Sequence, residues 1–120
     1  MLNLNSIMVG TDNYTRMADF YTKVFGKPAD MTEGNWSGWS VGNCFFSVGE
    51  HSEVAGKASD PARMLFNLET TEVKEEYDRI KGIGAEVIKE PYQMETAWIA
   101  TLADPDGNYF QLMTPWDAEE

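Results

Sequence analysis

The sequence predicts an α+β protein made of two βαβββ modules joined by a linker, and three observations predict it. Two stretches, one in each half, carry apolar residues at helical spacing and stop at glycine: Met17, Phe20, Tyr21 and Val24 before Gly26, and Val73, Tyr77 and Ile80 before Gly82 and Gly84. Each stretch follows one β-prone run and precedes three, so the halves are laid out alike although they share few identities. Between them, Glu50 to Pro61 holds Gly56, Ser59, Asp60 and several charges but little to bury. The boundaries read as module one over residues 1–50, a linker over 51–61 and module two over 62–115. One helix cannot cover a sheet of this size, so each module must lean on another copy.

Taken in order, Leu2 to Val9 alternates, with Leu4, Ser6 and Met8 on one face and Ile7 and Val9 on the other, and reads as the first strand. Thr11, Asp12 and Asn13 offer capping oxygens to the first helix. From Pro28 to Gly49 no helical period survives; Gly34, Gly38, Gly42 and Asn43 divide a three-strand meander whose first member lies near Asp30. Arg63 to Leu68 reads as the strand that opens the second half, and Glu72, Glu75 and Glu76 place carboxylates where a helix N-terminus favours them. Glu86 to Ile88 is a short strand, Pro91 to Glu95 a loop, and Thr96 to Leu102 and Tyr109 to Met113 form a hairpin. Its connection, Asp104-Pro105-Asp106-Gly107-Asn108, fixes one φ with proline and closes with residues that tolerate positive φ. Asp117 to Glu120 reads as a frayed tail.

The chain has 120 residues, twenty acidic and nine basic, for a net charge of −11. Such a field repels phosphate backbones and anionic lipid, which argues against nucleic acid and membrane surfaces as partners. The single cysteine, Cys44, cannot form an internal disulfide, and no apolar run approaches the ~20 residues of a membrane span, so the expectation is a cytoplasmic protein.

Three groups of residues resemble the vicinal oxygen chelate superfamily of glyoxalase I, bleomycin and fosfomycin resistance proteins and extradiol dioxygenases. They are Asp19-Phe20-Tyr21 with Val24-Phe25-Gly26, then Ile83-Gly84-Ala85-Glu86-Val87, then Asp104-Pro105-Asp106-Gly107-Asn108. The resemblance implies that the paired modules form a curled, cup-shaped mixed sheet with helices on its outer face, a small-molecule ligand inside, and a homodimer around it. Metal-dependent members place one ligand on the first and one on the last strand of each module. Those positions fall here at Ser6, Ser47, Leu65 and Gln111. Hydroxyls and a neutral amide are weak ligands for divalent metals and leucine is none, so the expectation is no metal, no cofactor and no catalytic residue at this place.

Assigning the inward face by alternation, and Ile99 and Thr101 from the resemblance, gives a predicted ligand-binding set of Ser6, Met8, Trp39, Phe45, Ser47, Leu65, Asn67, Ile99, Thr101, Gln111 and Met113. This is an apolar lining with a few neutral hydrogen-bonding groups, suited to binding a small apolar or aromatic molecule. Trp36, Trp39, Trp98 and Trp116, with Tyr92 and Tyr109, sit mainly on strands and loops; they suit either stacking on a flat ligand or closing module and dimer interfaces, and the sequence leaves both open. Met8, Met64, Met94 and Met113 would add adaptable lining. The alternative function is a divalent-metal lyase, isomerase or dioxygenase using shifted ligands such as His51, Glu50 or Glu90; a third is an assembly or regulatory module. His51, beside Glu50 and Glu53, reads as a surface residue because the sequence supplies neither a fixed partner nor a pocket for it, and Cys44 reads as packing because no histidine or basic residue adjoins it.

Overall fold

The computed structural model describes residues 1–115. Trp116 and the expected tail from Asp117 lie outside the described residues. The protein is α+β, with two four-stranded mixed sheets and one helix accompanying each. The chain divides into two compact units, Met1–Gly56 and the part that begins at Lys57.

In the first unit, β1 (Ser6–Thr11) leads to α1 (Tyr14–Phe25), β2 (Met31–Thr32), β3 (Trp36–Val41) and β4 (Cys44–Glu50). The sheet order is β1-β4-β3-β2, with β1 parallel to β4 and the remaining pairs antiparallel. The α1 stripe of Met17, Phe20, Tyr21 and Val24 is buried, and Tyr21 and Phe25 meet Phe46 with ring centroids 4.8 and 5.4 Å apart. Trp39 closes this layer against Phe25, and its indole N–H donates to the Lys27 carbonyl at 3.1 Å.

The second unit repeats the plan with β5 (Phe66–Glu69), α2 (Val73–Ile83), β6 (Glu86–Met94), β7 (Ala97–Ala103) and β8 (Tyr109–Met113), ordered β5-β8-β7-β6. Val73, Tyr77 and Ile80 are the buried residues of α2, which packs on β6, β7 and β8. The strand-to-helix corner is built alike in both halves. Thr11 Oγ1 accepts the Asn13 N–H at 2.9 Å and Thr70 Oγ1 the Glu72 N–H at 3.0 Å, three residues ahead of Tyr14 and Val73 respectively. Both helices end on a left-handed glycine, Gly26 at φ 72° and Gly84 at φ 116°.

Four sequence expectations change. The first strand starts at Ser6, because its partner β4 begins at Cys44 and the last upstream bond is Phe45 N–H to the Asn5 carbonyl. At the first helix Asn13 makes no side-chain cap; Thr11 Oγ1 accepts the N–H of Asn13 in the turn ahead of the helix, and Asp12 accepts the Gly56 N–H. The strand of the second half starts at Phe66, so Leu65 precedes it and is 39% exposed. Pro91 does not break the chain into a loop: β6 runs through it to Met94. As an edge strand, β6 tolerates a missing donor, and register shifts on both sides of Lys89 absorb the irregularity.

Asp30 ties β2's approach to β3. Its carboxylate accepts the Ser40 N–H at 2.7 Å and the Lys27 ammonium at 3.0 Å, and these two partners, Ser40 foremost, hold its pKa below the ordinary 3.8. A carboxyl whose folded pKa is depressed stabilises the fold above its unfolded value and loses that contribution as pH falls through the folded one. The loss from Asp30 therefore belongs below pH 3.8, and an NMR titration of its carboxyl carbon is expected to show a midpoint under that value; a midpoint at or above it would contradict the geometry.

Candidate functional site

Strand register sorts the side chains of the first sheet into rungs that share a face. On the side away from α1, three rungs lie next to one another: Ser6, Phe45 and Ser40; Met8, Ser47, Gly38 and Met31; Gly10, Gly49 and Trp36. None of these side chains is ionisable, in a chain that is 24% charged, while His51 lies over Gly10, its Cβ 3.1 Å from where a β-carbon there would stand. Met8 and Met31 are 53% and 58% exposed. Trp36 and Phe45 are stacked, with centroids 6.0 Å apart and planes 29° from parallel. Ser47 is buried at the centre of this face.

In the second unit the corresponding rung joins Asn67, Gln111 and Thr101, with Ile99 and Met113 paired beside it. Gln111 Nε2 donates to Thr101 Oγ1 at 3.1 Å, which leaves the amide oxygen as an acceptor. Tyr92 pairs with Ile99, Lys89 with Thr101, Glu69 with Met113 and Glu86 with Ala103, so this face carries a cation, whose ammonium lies 5.4 Å from the Tyr92 ring centroid, and two carboxylates towards its ends.

The predicted residues therefore fall into separate groups. Ser6, Met8, Phe45 and Ser47 share the face of the first sheet away from α1, and Asn67, Ile99, Thr101, Gln111 and Met113 share one face of the second, where Ile99 and Thr101 are buried. Trp39 belongs to neither: it is 0% exposed among the helix-side residues, because three positions along a strand from Trp36 means the opposite face. Trp36 stands where Trp39 was expected, and Met31, Gly38 and Gly49 complete a face that the sequence reading did not assemble.

The residues present do not fit a divalent metal. The rung partner of Ser47 is Met8 and that of Gln111 is Asn67, each two residues beyond the expected Ser6 and Leu65, and neither choice adds an imidazole or a carboxylate. Among the described residues no three His, Cys, Asp or Glu side chains converge on one point. Of the shifted ligands considered, His51 Nδ1 accepts the Glu53 N–H and the Glu50 carboxylate accepts from Asn35. Among the same residues no helix is long and apolar enough to cross a membrane.

Residues 6–113 match the glyoxalase-like domain family. The chain belongs to that family. It is thereby a member of the vicinal oxygen chelate superfamily, as the motifs at Phe20-Tyr21, Gly84 and Asp104 implied. Comparison with curated proteins finds no match. Among solved structures, the domain is similar to a glyoxalase-related enzyme from Fulvimarina pelagi at 16% identity, covering 96% of this chain and 89% of that one with a TM-score of 0.80. It is also similar to a glyoxalase/bleomycin resistance protein/dioxygenase family enzyme from Burkholderia phytofirmans PsJN, at 22% identity, 94% and 98% coverage and a TM-score of 0.72. TioX from Micromonospora sp. ML1 is similar at 14% identity, 93% and 98% coverage and a TM-score of 0.72. At such identities the likeness shows the shared fold.

Proposed function

We propose that this glyoxalase-like domain binds a small, uncharged apolar or aromatic molecule, without a divalent metal, on the open face of its first sheet. The observation that carries the reading is the uncharged aromatic face itself: Trp36 and Phe45 stacked, with exposed Met8 and Met31 on the adjoining rung. Aromatic surface of this kind gains from burial against an apolar ligand, while Ser47 and Ser40 supply neutral hydrogen-bonding groups that fix orientation. The second sheet's Gln111 and Asn67 have the same neutral character. Being amide rather than carboxylate, they suit recognition of a ligand better than general acid or base work.

The test is a titration with N-phenyl-1-naphthylamine, chosen because it is neutral and the protein's −11 charge would repel an anionic dye. Saturable fluorescence enhancement is expected, and Trp36→Leu should weaken it by about tenfold, the effect of ~1.4 kcal/mol of lost stacking and burial. Absence of saturable binding to the unaltered protein, or equal binding by Trp36→Leu, would reject the assignment.

A further inference from the structure

Side chains on a strand stand roughly perpendicular to the sheet, and neighbours on the same face hold them upright. Trp36 and Phe45 have no such neighbours at the positions they lean across. Gly49 is the direct cross-strand partner of Trp36, and Gly38 lies two residues along β3 from it and diagonal to Phe45. A β-carbon placed at Gly38 would overlap the end of the Phe45 ring and come within 3.1 Å of Trp36 Cη2. One placed at Gly49 would lie 2.8 Å from both Trp36 Cδ1 and Met8 Cε.

Backbone conformation does not call for glycine at either place. The glycines with positive φ are Gly26, Gly34, Gly42, Gly56, Gly84 and Gly107, and neither Gly38 nor Gly49 is among them. Both sit inside strands, where glycine loses more conformational freedom than other residues and packs no side chain. What the two share is the space above them, which the two rings and the Met8 methyl fill.

We propose that Gly38 and Gly49 are specificity-determining residues: by letting Trp36 and Phe45 lie low across the sheet they make a shallow floor that selects flat, uncharged aromatic molecules over globular apolar ones. The inference rests on the proposed binding at this face and sharpens it to a ligand shape. The uncharged character comes from the rung residues around the two rings, none of which is ionisable, so that a charged ligand would be desolvated there without a partner; His51 lies over the Gly10 end of the third rung. A methyl at Gly38 meets the far ends of two rotatable side chains, Phe45 and Trp36, and no backbone, so Gly38→Ala should keep the fold and tip the Phe45 ring upward.

Calorimetric titration of the full chain with 1-pyrenemethanol, which is flat, and 1-adamantanol, which is globular, tests this. In Gly38→Ala the ratio of the two affinities is expected to fall by about tenfold, through lost pyrenemethanol binding with adamantanol changed less than about twofold. An unchanged ratio, whether both affinities hold or both fall together, would overturn the inference while leaving the binding face in place. Failure of the unaltered protein to bind either probe would instead remove the proposed function and this inference with it. Should Gly38→Ala fail to fold, Trp36→Leu carries the same test, since it removes half the floor without adding bulk; the ratio should again fall, and an unchanged ratio overturns the proposal.

Discussion

Replacing Trp39 by alanine is expected to destabilise the protein by about 3–5 kcal/mol, the range for deleting a large buried aromatic side chain. The indole is fully buried, lies against Phe25 and donates to the Lys27 carbonyl, so the variant loses apolar contacts, leaves a void and orphans an acceptor together. Native domains are stable by only ~5–15 kcal/mol, so the change consumes a large share of the total. Urea unfolding at neutral pH measures it through the shift in midpoint at constant slope. Trp39→Phe should recover much of the loss by refilling the space, though not the hydrogen bond. A loss under about 1 kcal/mol for the alanine variant would mean that Trp39 is not held in this layer. The same experiment on Trp36→Leu should show a much smaller change, because that ring lies on the open face; one tryptophan answers for the fold and the other for the ligand.

This pair also marks how far the sequence could be read. The helix stripes were legible because amphipathic periodicity repeats over three turns and ends at left-handed glycines, signals that need no knowledge of the partner surface. Strand ends were less legible, since a strand lasts only as long as its neighbour does: Leu2 and Leu4 alternate as well as Ile7 and Val9, but β4 offers nothing opposite them. Pro91 looked like a break because its missing donor matters only when both strand edges are occupied, and β6 lies at the sheet's edge.

The candidate site divides in the same way. Alternation alone puts Trp36 and Trp39 on opposite faces but cannot say which face meets the helix; that takes the pairing of Trp39 with Phe46, beneath α1. The ligand positions inferred at Ser6 and Leu65 sit two residues short of the rungs that hold Ser47 and Gln111, an offset of one full strand repeat that keeps the face and changes the neighbour. What the sequence did carry, without the register to interpret it, was Gly38 and Gly49. They read as punctuation in a meander, and only the rings lying over them distinguish a space-making glycine from a turn.

Asp104→Ala is expected to cost about 2–4 kcal/mol, with the damage concentrated in the second sheet. The side chain is buried, and its Oδ1 accepts the backbone N–H groups of Asp106 at 3.0 Å and Asn108 at 2.9 Å. The Asn108 amide adds bonds to both carboxylate oxygens, at 3.2 and 3.0 Å. Alanine would leave two turn N–H groups and one amide without these acceptors, and a buried donor left unpaired costs ~1–3 kcal/mol. Asp104→Asn keeps one oxygen and should cost about half as much. The turn also sets register, because the Asp104 and Asn108 backbones bond at the mouth of the β7–β8 hairpin, where Ala103 pairs with Tyr109, two rungs short of Gln111 and Thr101. Hydrogen exchange at Gln111 and Leu112 should therefore accelerate in Asp104→Ala more than at Val48 in the first sheet. Equal acceleration at both places would make the turn a determinant of global stability instead of local register. No acceleration at either would mean that water replaces the carboxylate, and that the buried network is not what holds the hairpin closed.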